Sequence, residues 1–196
     1  MSFFADIPLE NKKADQVEAM MAAGGKVPPG FYHATLHGAK EITSNAKGTP
    51  GCELTFEVSG GIFKGCHVTD TLWKTDAERT QDRIILFGLR LGVLARDPKT
   101  QKVVPVEGKQ DFMDVLDTKC IIEVVEETYK RDDSSVGSSS RIAFGGIYYP
   151  DDKKAAEKVG KAAAATATAS TTTAKDKDAK PTTKSGTNGK VDVSKL

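Results

Sequence analysis

Between residues 52 and 58 the chain alternates strictly, with Cys52, Leu54, Phe56 and Val58 on one side and Glu53, Thr55 and Glu57 on the other. A period of two turns the first set toward a core and the second toward solvent, the pattern of a half-buried strand. Upstream, Tyr32, Ala34 and Leu36 alternate through "GFYHATLHGAKEIT" until Gly38 interrupts the phase. A glycine inside a long strand predicts a bulge or sharp bend. Beyond "SGG" a third strand runs to about Lys74, and two registers compete for it. A turn made of Gly60-Gly61 places Phe63, Gly65 and His67 with Leu54, Phe56 and Val58. A three-residue Ser59-Gly60-Gly61 loop instead pairs Leu54 with Cys66 and sends Phe63, His67 and Trp73 to the opposite face. Cys66, Val68 and Leu72 make the better core set, with Asp70 the misfit, which favours the longer loop.

From Thr75 the period changes to that of a helix, with Ile84, Phe87, Leu91 and Leu94 on one stripe as far as about Ala95. Thr75 and Glu78 have the spacing of a capping box, and Gly88 and Gly92 predict a smooth strip for close approach to a sheet. "RDPKTQKVVPVEGKQDFMDVLD" reads as an excursion containing a short strand and a short helical turn. "KCIIEVVEETYK" and "SRIAFGGIYYP" read as two further strands, joined by a mobile hairpin tip, "RDDSSVGSSS". Ahead of the strands, residues 10–23 suit a short helix carrying Val17, Met20 and Met21 and stopped by Gly24-Gly25. That arm packs on the domain or serves self-association. Three strands, a helix and two strands is the order of the OB-fold, a mostly β, five-stranded, partly open Greek-key barrel. An antiparallel α+β sandwich is the alternative.

Composition sets the limits of the domain. Residues 151–196 contain no aromatic residue, no isoleucine and a single leucine, too little apolar surface to offset chain entropy. The expected organisation is an N-terminal arm over residues 1–27, an OB-fold-like domain over 28–150 and a disordered Ala/Thr/Lys-rich tail over 151–196. The tail has ten lysines against six acidic residues, whereas residues 1–150 carry 18 basic and 21 acidic ones. A slightly acidic body argues against strong non-specific affinity for nucleic acid, so any such function must rest on a local basic and aromatic patch.

Three cysteines cannot make an even disulfide framework, and no N-terminal apolar run resembles a signal peptide or a membrane span. The expected compartment is a reducing cytoplasm, that of the bacterial host if the gene is phage-borne. The terminal Ser-Lys-Leu would be a peroxisomal address only in a eukaryote.

Three classes of chemistry follow from the remaining residues. Metal is the first, since His33, His37, His67 and the cysteines are the soft ligands. No cysteine pair has zinc-knuckle spacing, Cys66 and His67 point to opposite faces, and Cys52 and Cys120 share faces with core residues, so no metal or other cofactor is expected. Catalysis is the second; no phosphate loop, nucleophile elbow or paired His-Glu helix motif occurs, and no enzyme activity is expected. Nucleic-acid binding is the third. Phe63, His67 and Trp73 on the outer face of the hairpin would stack unpaired bases, with Tyr129, Tyr148 and Tyr149 the alternative platform. Lys47, Lys64, Lys74, Lys130, Arg131 and Arg141 would hold phosphates, those of the first and last hairpin loops converging on one cleft.

The run "PGFYHATLHGAKEITSNAKGTPGCELTFEV", then "GGIFKGCHVTDTLW", a helix ending "LGVL", and "DVLDTKCIIEVVEETYKRDDSSVGSSSRIAFGGIYYP" resembles small proteins of phage replication and recombination modules. Those are regarded as OB-fold single-stranded DNA-binding proteins, and the resemblance spans roughly residues 28–150. It implies protection of exposed strands, no enzymatic activity, replication or recombination proteins as partners and possible homo-oligomers. The rival is a structural or protein-protein assembly module of a phage or prophage that binds no nucleic acid. The tail departs from the family pattern: it is rich in Lys, Ala and Thr and ends "VDVSKL", where such proteins usually end in an acidic tail that recruits enzymes.

Overall fold

The alternation of residues 30–58 becomes two paired strands at the centre of one sheet in the computed structural model, which describes residues 13–130 and 134–160. Among these residues the order is α1 (Ala14–Ala22), β1 (Gly30–Thr43), β2 (Pro50–Val58), β3 (His67–Trp73), α2 (Glu78–Leu91), β4 (Leu94–Arg96), β5 (Val103–Pro105), a 3-10 turn (Phe112–Val115), β6 (Lys119–Lys130), β7 (Val136–Tyr148) and α3 (Lys153–Ala156). Five strands form an antiparallel sheet in the order β3-β2-β1-β6-β7, and β4 and β5 make a separate hairpin. The expected mostly β chain with a helix after the third strand is borne out. The barrel is not closed, because no ladder joins the edge strands β3 and β7.

β1 serves two halves of the sheet, as its glycine predicts. Its first residues pair with β6, from Gly30↔Val124 to Thr35↔Lys119, and from Ala34 onward it pairs with β2. Leu36 lies opposite Phe56 and Gly38 opposite Thr55, so His37 is an extra residue at a bulge. The bulge switches the phase: Ala34 and Leu36 face the core before it, and Ala39, opposite Leu54, packs against the core after it. Phe56, Phe87, Leu36, Leu54, Leu91, Ile122 and Ile142 form the fully buried centre.

The expected pairing of Leu54 with Cys66 is corrected by four residues. Leu54 faces Asp70, and residues 59–66 form an eight-residue connection with Gly61 and Gly65 in left-handed backbone. A slip by an even number leaves every side chain on its face, so Val68 and Leu72 are core as expected and His67 is exposed. Phe63 is not on a strand at all. It folds back against the core edge, its ring 6.0 Å from that of Tyr32 and nearly perpendicular to it.

Five further expectations change. α2 begins at Glu78 with Ala77 as its N-cap, so Thr75 is too early to cap it; the capping box forms instead between Asp111 and Asp114 at the 3-10 turn. The helix stops at Leu91 because Gly92 turns left-handed (φ 82°), and Leu94 doubles back onto Gly88, where a Cβ would come within 2.7 Å of it. Gly88 therefore makes room for β4, not for the sheet. The second half of the serine-rich segment expected as a hairpin tip is strand: Ser138, Ser139 and Ser140 pair with Thr128, Glu127 and Glu126. Finally, residues 151–160 belong to the domain. Asp152 caps α3, Ala155 is buried and Val159 bridges to Phe31. The disorder expected beyond lies outside the described residues, as do residues 1–12 of the arm.

α1 is shorter than the spacing predicts and buries no residue. It rests on the β2–β3 connection, where the Gln16 amide donates to the Lys64 carbonyl (2.5 Å) and the Cys66 thiol meets the Met20 sulfur at 3.5 Å.

Candidate nucleic-acid interface

The gap between β3 and β7 is filled by the side chain of Arg83 from α2. β7 carries four residues, Ala143 to Gly146, between Ile142, which faces Val124, and Ile147, which faces Ile122. This irregular stretch leaves the Ile142 and Phe144 carbonyls to accept from Arg83 of α2, at 3.3 and 3.0 Å. Arg83 also reaches the Thr71 carbonyl of β3 at 3.5 Å and forms an ion pair with Asp70. The "misfit" acid of β3 is thus the partner of an arginine thirteen residues away. Burial pushes the Asp70 carboxyl above its ordinary range, opposed by Arg83, the Thr71 amide and Arg141.

Beside this seam lies an open cleft of about 380 Å³, lined among others by Lys47, Thr71, Trp73, Arg83, Arg141 and Phe144. Each element presents its residue for a local reason. Lys47 rides the glycine-containing turn between β1 and β2. Trp73 lies over Gly51, its opposite number on β2; a Cβ there would stand 2.6 Å from the indole, so only glycine leaves a seat for the ring. Phe144 projects from the irregular stretch of β7 and is 44% exposed, with the Arg79 guanidinium 4.3 Å from its ring centre. Arg141 is engaged by Glu127 at 2.5 Å and stands 3.9 Å from Asp70. Thr75 borders the same cleft, and its buried hydroxyl has no hydrogen-bond partner among the described residues.

The structure brings Lys47, Trp73 and Arg141 together at this cleft, while Lys130, expected to converge with Lys47, is not among its lining residues. Lys74 is exposed one residue past β3, at a neighbouring hollow with Gly51 and Cys52. His67 sits at the other end of β3, roughly 20 Å from Trp73 at the usual rise per strand residue, and Phe63 and Lys64 lie in the connection that precedes it. The continuous strip Phe63–His67–Trp73 is therefore corrected, since the strand begins only at His67. Tyr129 and Lys130 are exposed at the end of β6, the Tyr129 ring lying over Gly137. Arg131 lies outside the described residues. Of the alternative platform, Tyr148 donates to Glu123 (3.0 Å), and Tyr149 is exposed, with the Arg90 guanidinium 4.2 Å from its ring centre.

Sequence reading missed Phe144, Arg79 and Arg83. The signal for Phe144 was the Gly145-Gly146 pair inside a strand pattern, which marks a bulge. Arg83 carried none, because a helix arginine normally points to solvent.

Of the thiols, Cys120 is buried and its pKa is pushed up to about 12 by that burial, while burial also raises that of Cys52. The chain matches no protein-family model and no curated protein.

Proposed function

We propose that this chain is a non-enzymatic, OB-fold-type protein that binds single-stranded DNA in the cleft at the β3–β7 seam, keeping exposed strands unpaired during phage replication or recombination. The observation that carries the reading is the gathering of two aromatic side chains, Trp73 and Phe144, with Lys47 and Arg141 around one open cleft. Aromatic faces stack bases of any identity while cations hold the backbone, the combination that sequence-tolerant single-strand binding requires. The strand order supports the fold assignment. With β6 and β7 counted as fourth and fifth, the sheet runs 3-2-1-4-5, and the two edge strands approach each other where Arg83 joins them. The cleft adjoins the turn between the first two strands, where OB-folds hold oligonucleotides. Because Arg83 and Arg141 are engaged by acidic partners, the phosphate contacts fall mainly to Lys47 and the nearby Lys74.

Titration of the full chain with oligo(dT), followed by the fluorescence of its single tryptophan, tests the reading directly. Quenching that weakens linearly with the logarithm of salt supports it. Absence of quenching and of any mobility shift at low salt refutes it in favour of the assembly role.

A further inference from the structure

At the far end of β3 from the cleft, three strands place His37, Glu57 and His67 side by side on the outer face of the sheet. Their ligand atoms all lie within 4.8 Å of one another. His37 Nδ1 is 3.5 Å from the Glu57 carboxylate, and the two imidazole rings are 5.1 Å apart. Backbone geometry builds this cluster. Glu57 and His67 are directly opposed across β2 and β3, and His37 is the inserted residue of the β1 bulge, next to the strand position facing Phe56. Along the chain the two histidines are thirty residues apart, with no carboxylate beside either that the strand pattern alone assigns to them. The bulge and the register of β3 supply one from β2.

A surface ion pair explains His37 with Glu57 but not the second imidazole, which reaches across β2 toward the first. Two imidazoles and a carboxylate are the donor set of a common catalytic-type zinc site, in which three protein ligands leave a fourth position to water. Tetrahedral bonds of about 2.0–2.1 Å hold donors about 3.3 Å apart. The His37–Glu57 pair is already near that spacing, and rotation of exposed side chains closes the remainder. We propose that His37, Glu57 and His67 bind one zinc ion, which clamps β1, β2 and β3 together across the bulge and keeps a solvent-facing coordination position. This goes beyond DNA binding and is independent of it.

The test uses the full chain, stripped with a chelator and titrated with zinc chloride by calorimetry, and with cobalt(II) followed by visible absorption. Uptake of one equivalent, ligand-field bands of four-coordinate cobalt and a higher melting temperature with zinc are expected. His67→Ala should abolish the cobalt bands, and Glu57→Gln should weaken zinc affinity about tenfold or more. Cys66→Ser and His33→Ala should retain both properties. His67 is exposed, so its replacement leaves the core intact, which circular dichroism verifies. No uptake by the parent protein, or equal uptake by the His37→Ala/His67→Ala double variant, overturns the proposal.

Discussion

Arg83 of α2 and Asp70 of β3 form an ion pair whose side chains are only 6% and 2% exposed, set in the gap between the two edge strands. The same guanidinium takes the Phe144 and Ile142 carbonyls of β7, so it substitutes for the missing ladder. Arg83→Met removes the only cation paired this closely with a buried carboxylate among the described residues and should destabilise the fold by roughly 3–5 kcal/mol. Urea unfolding followed by tryptophan fluorescence measures it. A loss below about 1 kcal/mol would show that the seam does not depend on the pair.

That variant should also have a distinctive pH dependence. Burial already raises the Asp70 pKa, and removing Arg83 deletes the strongest influence opposing it. A carboxyl whose folded pKa lies above its unfolded value costs stability above the folded pKa, and that cost vanishes as pH falls and the acid is protonated. The stability gap between Arg83→Met and the parent should therefore narrow on acidification. A gap that widens in denaturation curves taken at successively lower pH contradicts the assignment.

The seat of Trp73 is equally specific. Gly51→Val places a branched side chain where even a Cβ would be 2.6 Å from the indole and 2.9 Å from the Leu72 carbonyl. Overpacking of this kind costs about 1–3 kcal/mol. It should shift the emission maximum of Trp73 and reduce quenching by oligo(dT), whereas unchanged emission would mean that the ring does not rest on Gly51.

For binding, Phe144→Ala should weaken oligo(dT) affinity by about 1–3 kcal/mol, the range for loss of a stacking ring. Phe63→Ala should lower stability while leaving affinity unchanged, since Phe63 packs on Tyr32 away from the cleft. Lys47→Ala should reduce the salt dependence by about 0.7 in the log–log slope, the value for one phosphate contact on a single strand. Filter binding at several salt concentrations distinguishes these outcomes. Equal losses for Phe63→Ala and Phe144→Ala would move the interface away from the seam.

Alkaline conditions probe the interior. Cys120 has a folded pKa near 12 against an ordinary 9.0, and Tyr148, desolvated and bonded to Glu123, near 12 against 10.0. Both folded values exceed the unfolded ones, so the unfolded chain releases these protons first. Their contribution is complete below pH 9 and is lost progressively from there to about 12. Stability should decline across that window. Iodoacetamide at pH 8 should spare Cys120 in the native protein and modify it after unfolding, as peptide mass spectrometry would show.

How far the residues themselves announce this arrangement differs from element to element. In β2, alternation from Cys52 to Val58 settles which side chains meet the core, because side-chain direction along a strand has a period of two whatever the neighbours are. The interruption at Gly38 likewise reveals the bulge in β1. Alternation does not fix pairing, however: a slip of four residues between β2 and β3 changes no residue's face, so the eight-residue connection and the withdrawal of Phe63 from the strand are invisible to it. The Asp70–Arg83 pair, the Trp73–Phe144 cleft and the His37–Glu57–His67 cluster depend on contacts between segments far apart in the chain. Local sequence determines which side chains of β2 and β3 face the core and which residues of α2, Ile84, Phe87 and Leu91, form its apolar stripe. Only the tertiary structure decides which exposed and charged side chains meet, because register, bulge and helix docking bring them within reach of one another.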